Sequence, residues 1–197
     1  IPSLFRKLPY DPLKDFAPIG LLWVSPMFLV VSPDLPVNTF AEAIAYVHSG
    51  KLGKIRQVRN WAYLDWFTGV GWPADAEPPS GVDYDMWLGP APKRPFNPAR
   101  FHFNFRWFWD YAGGLMTDWG VHLINLAMWG TRVDTLTGRT GPTVVSSSGG
   151  KFALDDLGET PDTQCAVYDF PGFIMTWEHQ AESGLAPEDH YHGTAFY

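Results

Sequence analysis

The chain has 197 residues, of which 46% are hydrophobic and 16% aromatic, so it is long enough to bury one large core or two small ones. Its formal net charge is −7, and such a chain lacks the positive surface that phosphate backbones require, so we expect no nucleic-acid partner. The single cysteine, Cys165, excludes an intramolecular disulfide and a cysteine zinc site.

Nothing in the sequence predicts a membrane span or a targeting segment. The longest apolar run, residues 19–31, is interrupted by Gly20, Ser25 and Pro26 and is too short to cross a bilayer. The chain opens without the basic stretch and apolar stretch of a secretory signal. We therefore expect no membrane partner, and the sequence leaves the bacterial cytoplasm and the periplasm both open.

Residues 1–40 differ in composition from the rest of the chain. They hold seven of the eighteen prolines, and only residues 19–24 and 27–31 are good strand candidates. The pattern indicates an irregular N-terminal arm that is poorly integrated with a second unit, residues 41–197.

The second unit begins with a helix and a strand. Apolar Ala43, Ile44 and Val47 predict a short helix that ends at Gly50. A strand follows over residues 54–65. Its inward positions change register near residues 57–59, which predicts a β-bulge.

Residues 68–99 are predicted to form a long loop, because seven prolines interrupt any regular element. One helical turn is expected at the sequence DYDMWLG. Asp83 and Asp85 could mimic the paired carboxylates of a glycosidase, but a cap before that turn is the simpler interpretation.

The next stretch alternates polar and aromatic residues from Arg100 to Arg106, so an extended backbone would place polar groups on one side and Phe rings on the other. Hydrogen-bond donors beside flat aromatic faces suit a polyhydroxylated ligand, although an aromatic core strand is the alternative. The candidate substrate-binding residues here and in the following helix are Arg100, His102, Asn104, Trp107, Tyr111 and Asn125.

Residues 113–129 predict a helix that is apolar nearly all round and therefore buried on most faces. Asp118, His122 and Asn125 follow i, i+4, i+7 spacing and share one face. A carboxylate and an imidazole one turn apart can position each other and handle a proton, so Asp118 and His122 are the candidate catalytic residues. An ordinary satisfied polar pair is the alternative.

Three strands are predicted after the helix, at residues 143–148, 163–170 and 173–180, with an antiparallel hairpin at Pro171 and Gly172. The expected fold class is α+β, a mainly antiparallel open sheet with helices on one face. No metal site is expected, because the possible ligands have no recognised metal-binding spacing. Those possible ligands are Glu178, His179, His190 and His192.

At these motifs the chain resembles a known family. Trp87-Leu-Gly-Pro-Ala-Pro and Gly113-Gly-Leu-Met-Thr-Asp-Trp-Gly-Val-His are similar to the substrate domain of glucose-fructose oxidoreductase/inositol dehydrogenase (Gfo/Idh/MocA) enzymes, over about residues 41–197. The resemblance implies hydride transfer between NAD(P) and a sugar, cyclitol or similar hydroxyl, with Asp118 and His122 beside the substrate carbon. Many members carry an acid where this chain has Asn125, so the chain departs from the family pattern at this position.

Residues 1–40 resemble a different family, the Bug/TctC-type receptors of tripartite tricarboxylate transporters. No G-x-G-x-x-G turn and no family-type catalytic lysine loop is found, so we expect no Rossmann domain and no cofactor bound by this chain. The expectation is a substrate-domain fragment, C-terminally truncated and inactive alone, in a natural fusion, a mis-joined gene or an engineered chimera.

Two alternatives remain open: a fragment of a solute-binding receptor, and a structural module. The resemblance also implies a homo-oligomer through the open sheet face.

Overall fold

The computed structural model describes residues 34–133 and 141–197. The predicted strands at residues 19–24 and 27–31, and most of the predicted arm, lie outside the described residues. The elements are α1 (Phe40–His48), β1 (Gln57–Leu64), α2 (Tyr84–Leu88), α3 (Gly114–Asp118), α4 (Gly120–Thr131), β2 (Val144–Gly150), β3 (Thr163–Phe170), β4 (Phe173–Ala181) and β5 (His192–Phe196), with 3₁₀ helices at Pro98–Arg100, His102–Trp107 and Pro187–Asp189.

The strands form one open sheet in the order β2-β3-β4-β1-β5. Three neighbouring pairs are antiparallel, and the fourth, β1 with β4, is parallel. Both core clusters lie between one sheet face and α3 and α4. The predicted α+β fold, mainly antiparallel with helices on one face, is therefore confirmed, and the parallel pair at its centre is the feature that the sequence pattern did not reveal.

The predicted β-bulge in the first strand is wrong. The register of β1 on β4 runs without a break from Gln57 opposite Ile174 to Leu64 opposite Ala181. Trp61 points away from the helices and is nevertheless 3% exposed, because the backbone at Gly193 packs against its ring; its indole nitrogen donates to the carbonyl of His190. The apparent slip in the sequence pattern thus reflects a central strand buried on both faces.

The later strands agree with the prediction within two residues, and Gly172 turns their hairpin with a φ of 97°. Strand β5 was not predicted from the sequence. It lies antiparallel to β1 at the sheet edge, with Thr194 opposite Asn60. Its polar residues lack the apolar alternation of a strand. They are accommodated because the Thr194 hydroxyl donates to the side-chain oxygen of Asn60 inside the sheet.

The first helix is confirmed. Thr39 caps its start in a reciprocal capping box with Glu42, and the chain leaves it through Gly50 at a φ of 78°. The predicted turn at Tyr84–Leu88 is also confirmed. Asp83 is its N-cap and accepts a hydrogen bond from the backbone N–H of Met86, which supports the capping role for this carboxylate.

The stretch after Arg100 is not extended. Residues His102–Trp107 form a 3₁₀ helix whose backbone bonds are local, such as Asn104 N–H to the carbonyl of Phe101. The Phe rings therefore do not share one buried side, and Phe103 is 48% exposed. The alternation predicted a strand because aromatic residues at period-two spacing are typical of strands. The same spacing also fits a 3₁₀ helix, and the sequence does not show whether a partner strand is present.

The helix predicted over residues 113–129 consists of two segments that meet at Trp119. Only part of α4 is buried, chiefly Gly120, Ala127 and Gly130, whereas Val121 and Leu126 are 55% and 41% exposed. The prediction of burial on most faces is therefore wrong. Leu126 and Trp129 border a hollow that they share with residues of α1 and with Thr194 and Phe196 of β5.

A buried histidine links two parts of the core. His179 is 1% exposed, and its Nδ1 accepts a hydrogen bond from the Trp177 indole at 3.0 Å while its Nε2 lies 3.1 Å from the carbonyl of Pro161. The ring must be neutral to accept from the indole, so Nε2 carries the proton and donates it to Pro161. Burial lowers the pKa of His179 from 6.5 to about 4.

Because of this histidine, we expect the free energy of unfolding to decrease in acid. The unfolded chain takes up a proton near pH 6.5 and the folded chain only near pH 4, so the contribution is complete above pH 6.5 and is lost as the pH falls toward 4. The shift corresponds to at most about 3 kcal/mol in the free energy of unfolding. Urea denaturation between pH 7 and pH 4 should show the loss. His179→Gln, which keeps both bonding partners, should flatten the curve, and an unchanged slope would contradict this role.

Candidate functional site

The first turn of α3 is positioned by its glycines. Gly114 has a φ of 68°, and a Cβ placed on it would lie 2.7 Å from the side chain of Thr160, so a side chain there would be both strained and obstructed. The hydroxyl of Thr117 accepts the backbone N–H of Gly113 at 3.0 Å. These contacts fix the short helix on which Asp118 is the last residue.

Asp118 is paired with an arginine from the preceding 3₁₀ helix. Its Oδ1 lies 3.0 Å from Nε of Arg106, a charge pair whose geometry falls outside that of a hydrogen bond, and both side chains are about one-quarter exposed. The Arg106 guanidinium also lies over the rings of Phe103 and Phe105, at 4.4 and 4.8 Å from their centroids. The partner of Asp118 is thus Arg106, and the predicted mutual positioning of Asp118 and His122 is not observed.

His122 and Asn125 lie on the outer face of α4. Both are exposed, and neither side chain makes a hydrogen bond within residues 34–133 and 141–197. Their neighbours on this face are Val121, Leu126 and Trp129, of which Trp129 is 40% exposed. An imidazole and an amide with uncommitted donors and acceptors are therefore available to an incoming molecule.

Three other predicted residues lie beside the loop of residues 68–99 or at the surface. Arg100 donates to the carbonyl of Pro95 at 2.7 Å and pairs with Asp75 at 3.4 Å. His102 is exposed in the left-handed region with a φ of 49°, and Asn104 is half-buried. No hydrogen bond or ion pair in the described part of the chain joins any of the three to Asp118 or His122.

Trp107 belongs to the core. It is 4% exposed and its ring centroid lies 4.3 Å from that of Phe67. Its carbonyl accepts the backbone N–H groups of Glu159 and Thr160, which ties the 3₁₀ helix to the loop before β3. The structure therefore gives this residue a supporting position beneath the surface.

Tyr111 lines a cavity of about 450 Å³ with Trp87. The centroids of the two rings are 5.2 Å apart. The phenol oxygen is buried and makes no hydrogen bond of good geometry with a described residue, although the hydroxyl of Tyr84 is a neighbour. Burial, and then the nearby Tyr84, raises the pKa of Tyr111.

Two charged groups at this place do not stand out in the sequence. The alternation presents Arg106 as one polar residue among several, although it fixes Asp118. Asp110, which lines the cavity, pairs through Oδ2 with Arg94 at 2.7 Å, and Arg94 also pairs with Glu159. For Arg106, the available sequence signal was an arginine twelve residues before a candidate catalytic Asp. For Asp110 the sequence offered no signal.

Three of the described helix starts, those of α1, α2 and α3, do not fit the pyrophosphate of a dinucleotide. In α1 the capping positions are filled by the side chains of Thr39 and Glu42, and in α2 by the carboxylate of Asp83. In α3 the N–H of Gly113 already donates a hydrogen bond to the hydroxyl of Thr117. A phosphate needs free N–H groups and no competing carboxylate at such a site, so these three helix starts are poorly suited to hold NAD(P).

The described residues contain no group of three or more His, Cys, Asp or Glu side chains arranged to hold a metal ion. Across the same ranges, no helix has both the length and the apolar character that a membrane crossing demands.

Two family models match the sequence. Residues 46–134 match the model described as oxidoreductase family, C-terminal alpha/beta domain, which is less than half of the chain. Residues 1–56 match the tripartite tricarboxylate transporter family receptor. The two matches overlap over residues 46–56. A search of curated proteins found no significant match.

Solved structures with a similar arrangement include three oxidoreductases. A levoglucosan dehydrogenase in complex with NADH and L-sorbose is 15% identical with a TM-score of 0.47, covering 79% of this chain and 33% of its own. An oxidoreductase domain protein from Kribbella flavida is 20% identical with a TM-score of 0.41, covering 70% and 29%. The WlbA dehydrogenase from Bordetella pertussis, in complex with NADH and UDP-GlcNAcA, is 16% identical with a TM-score of 0.39, covering 73% and 33%.

The chain thus spans about a third of the length of the solved structures it is similar to. The matched segment, residues 46–134, contains Asp118, His122 and Arg106. Both resemblances inferred from the motifs are confirmed: this segment carries the C-terminal domain pattern of the Gfo/Idh/MocA oxidoreductases, and residues 1–56 carry that of the transporter receptor.

Proposed function

We propose that the described part of this chain is the substrate-recognition domain of an oxidoreductase that acts on a sugar, cyclitol or similar polyol. The observation that carries the proposal is the arrangement of Asp118, fixed by Arg106, one helical turn before an exposed and unbonded His122. This arrangement lies inside the segment that matches the oxidoreductase domain.

The chemistry of these groups suits a hydroxylated ligand. A carboxylate held by a guanidinium keeps an oxygen lone pair for a substrate hydroxyl, and an imidazole can donate or accept a proton near neutral pH. Asn125, one turn after His122, adds an amide donor and acceptor on the same exposed face. In this proposal Asp118 and Asn125 orient the polyol and His122 assists the transfer of its hydroxyl proton.

The hydride carrier would be held by another domain. The solved relatives named above include NADH complexes, whereas the helix starts of α1 and α2 in this chain are filled by their own side chains. The exposed apolar residues Val121 and Leu126 beside His122 offer a surface for that domain. Alone, the chain would bind substrate weakly and give no turnover.

The receptor match makes a second candidate function testable, because residues 1–56 match a tricarboxylate-transporter receptor. That function requires a carboxylate ligand and hence a basic pocket. Arg106, which contacts Asp118, is already paired with that acid, and Arg94 is paired with Asp110 and Glu159. The geometry therefore favours the polyol.

We predict that His122 contributes to ligand binding and not to folding. His122→Ala should reduce the free energy of unfolding by less than about 1 kcal/mol, because this ring is exposed and unbonded. His179→Ala is the matched control and should cost several times more, since it removes a buried, doubly bonded imidazole. A loss of several kcal/mol in His122→Ala would assign a structural role to His122.

The second prediction concerns the ligand class. Isothermal titration with myo-inositol should give weak saturable heat that His122→Ala and Asp118→Asn both abolish, whereas citrate should give none. NADH should not bind more tightly than about 100 µM, which corresponds to roughly 5.5 kcal/mol. Binding of citrate in place of inositol would favour the receptor, and tight NADH binding would overturn the proposed division between domains.

We further propose that the chain self-associates through the open sheet face. Across this face Arg59, Glu178 and Tyr63 form a bonded network, and Ile174 on the same face of β4 is 40% exposed. A flat mixed surface of this kind suits a twofold contact between identical faces.

Light scattering at micromolar concentration should therefore show a dimer that Ile174→Glu dissociates, because the change would bury an unpaired charge in the contact. Met86→Glu is a matched control away from the sheet, since Met86 lies in α2 and is 81% exposed. A strictly monomeric unmodified chain would rule out the contact.

A further inference from the structure

The cavity beside Tyr111 is separate from the exposed face of His122, and the proposed function does not use it. It holds about 450 Å³, within the range of roughly 300–1,000 Å³ typical of small-molecule sites. Its walls are three aromatic rings, apolar residues including two prolines, and one carboxylate. The lining residues are Trp87, Leu88, Pro90, Ala91, Pro92, Phe105, Asp110 and Tyr111.

The aromatic walls are held in place by other rings. Trp87 stacks on Tyr84 with centroids 5.7 Å apart and contacts Phe101 at 5.3 Å. Phe105 is held by the Arg106 guanidinium, which lies 4.8 Å from its centroid. Fixed aromatic faces of this kind contact the apolar face of a sugar ring without needing to reorganise on binding.

The walls offer no charge partner to an anion. Asp110 is the only ionisable acid or base among the lining residues, apart from the phenol of Tyr111, and no basic side chain lines the cavity. Its Oδ2 is paired with Arg94, and Oδ1 makes no hydrogen bond with a described residue. The free oxygen can accept a hydrogen bond from a ligand hydroxyl, and without a basic side chain in the walls a phosphate or carboxylate ligand finds no charge partner.

The same walls disfavour a cation. Arg94 neutralises Asp110 at 2.7 Å, so the carboxylate offers no full unpaired charge. Arg106 already occupies a face of Phe105, and a second cation near that ring would meet the repulsion of the guanidinium. The walls therefore fit a neutral ring with hydroxyls at its edge and C–H groups on its face.

Two contacts connect the cavity to the proposed catalytic face. Phe105 forms a wall of the cavity and lies against Arg106, and Arg106 pairs with Asp118. We infer that the cavity is a second subsite for a neutral pyranose ring, so that the substrate is a glycoside of two rings. This inference rests on the proposed function for the first ring, which Asp118 and His122 would bind.

The test uses the intact chain and three probes that share one ring: methyl glucoside, glucuronate and glucosamine. Saturation-transfer NMR should show contact with the neutral methyl glucoside and much less with the anionic and cationic probes. Ala91→Phe, which fills the cavity without removing a wall, should weaken methyl glucoside binding by about tenfold. Met86→Phe adds the same ring on the neighbouring exposed side of α2 and should have no effect.

Maltose then distinguishes the two subsites. Its affinity should exceed that of methyl glucoside and should fall in both Ala91→Phe and His122→Ala. If the affinity for maltose falls only in Ala91→Phe, the cavity remains a sugar subsite and the proposed role of His122 is overturned. Loss in His122→Ala alone, preference for glucosamine, or no binding of any neutral probe would overturn the second subsite.

Discussion

The packing of α4 on Trp177 determines where the proposed site lies. Trp177 is fully buried in β4, and a Cβ at Gly120 would lie 3.6 Å from its indole, so the start of α4 rests directly on this ring. The indole donates to His179, and His179 bonds to the carbonyl of Pro161. One chain of contacts thus joins the sheet, the loop before β3 and the helix that carries His122.

The second constraint comes from the aromatic stretch before the helix. Trp107 is anchored in the core and bonded through its carbonyl to Glu159 and Thr160. The preceding 3₁₀ helix consequently presents Arg106 toward Asp118 and Phe105 toward the cavity. On a continuous strand these two neighbouring side chains would point to opposite faces, whereas here the Arg106 guanidinium lies 4.8 Å from the centroid of the Phe105 ring.

Regular elements with local signals were predictable. The Gly50 stop and the Gly172 hairpin each have a local cause and appear as expected, whereas the capping box at Thr39 emerges only from the structure. The 3₁₀ helix, the parallel β1–β4 pair and the Arg106–Asp118 ion pair depend on contacts between segments far apart, or on the absence of a partner strand. The exposed face of α4 could not be predicted because apolar composition does not say what covers it.

The central claim is that His122 meets a polyol on the exposed face of α4. The six histidines can be followed separately by NMR of their imidazole nitrogens during a titration with myo-inositol. We expect the His122 resonances to shift and saturate while those of buried His179 stay fixed. Saturable inositol binding that leaves His122 unmoved would contradict the claim.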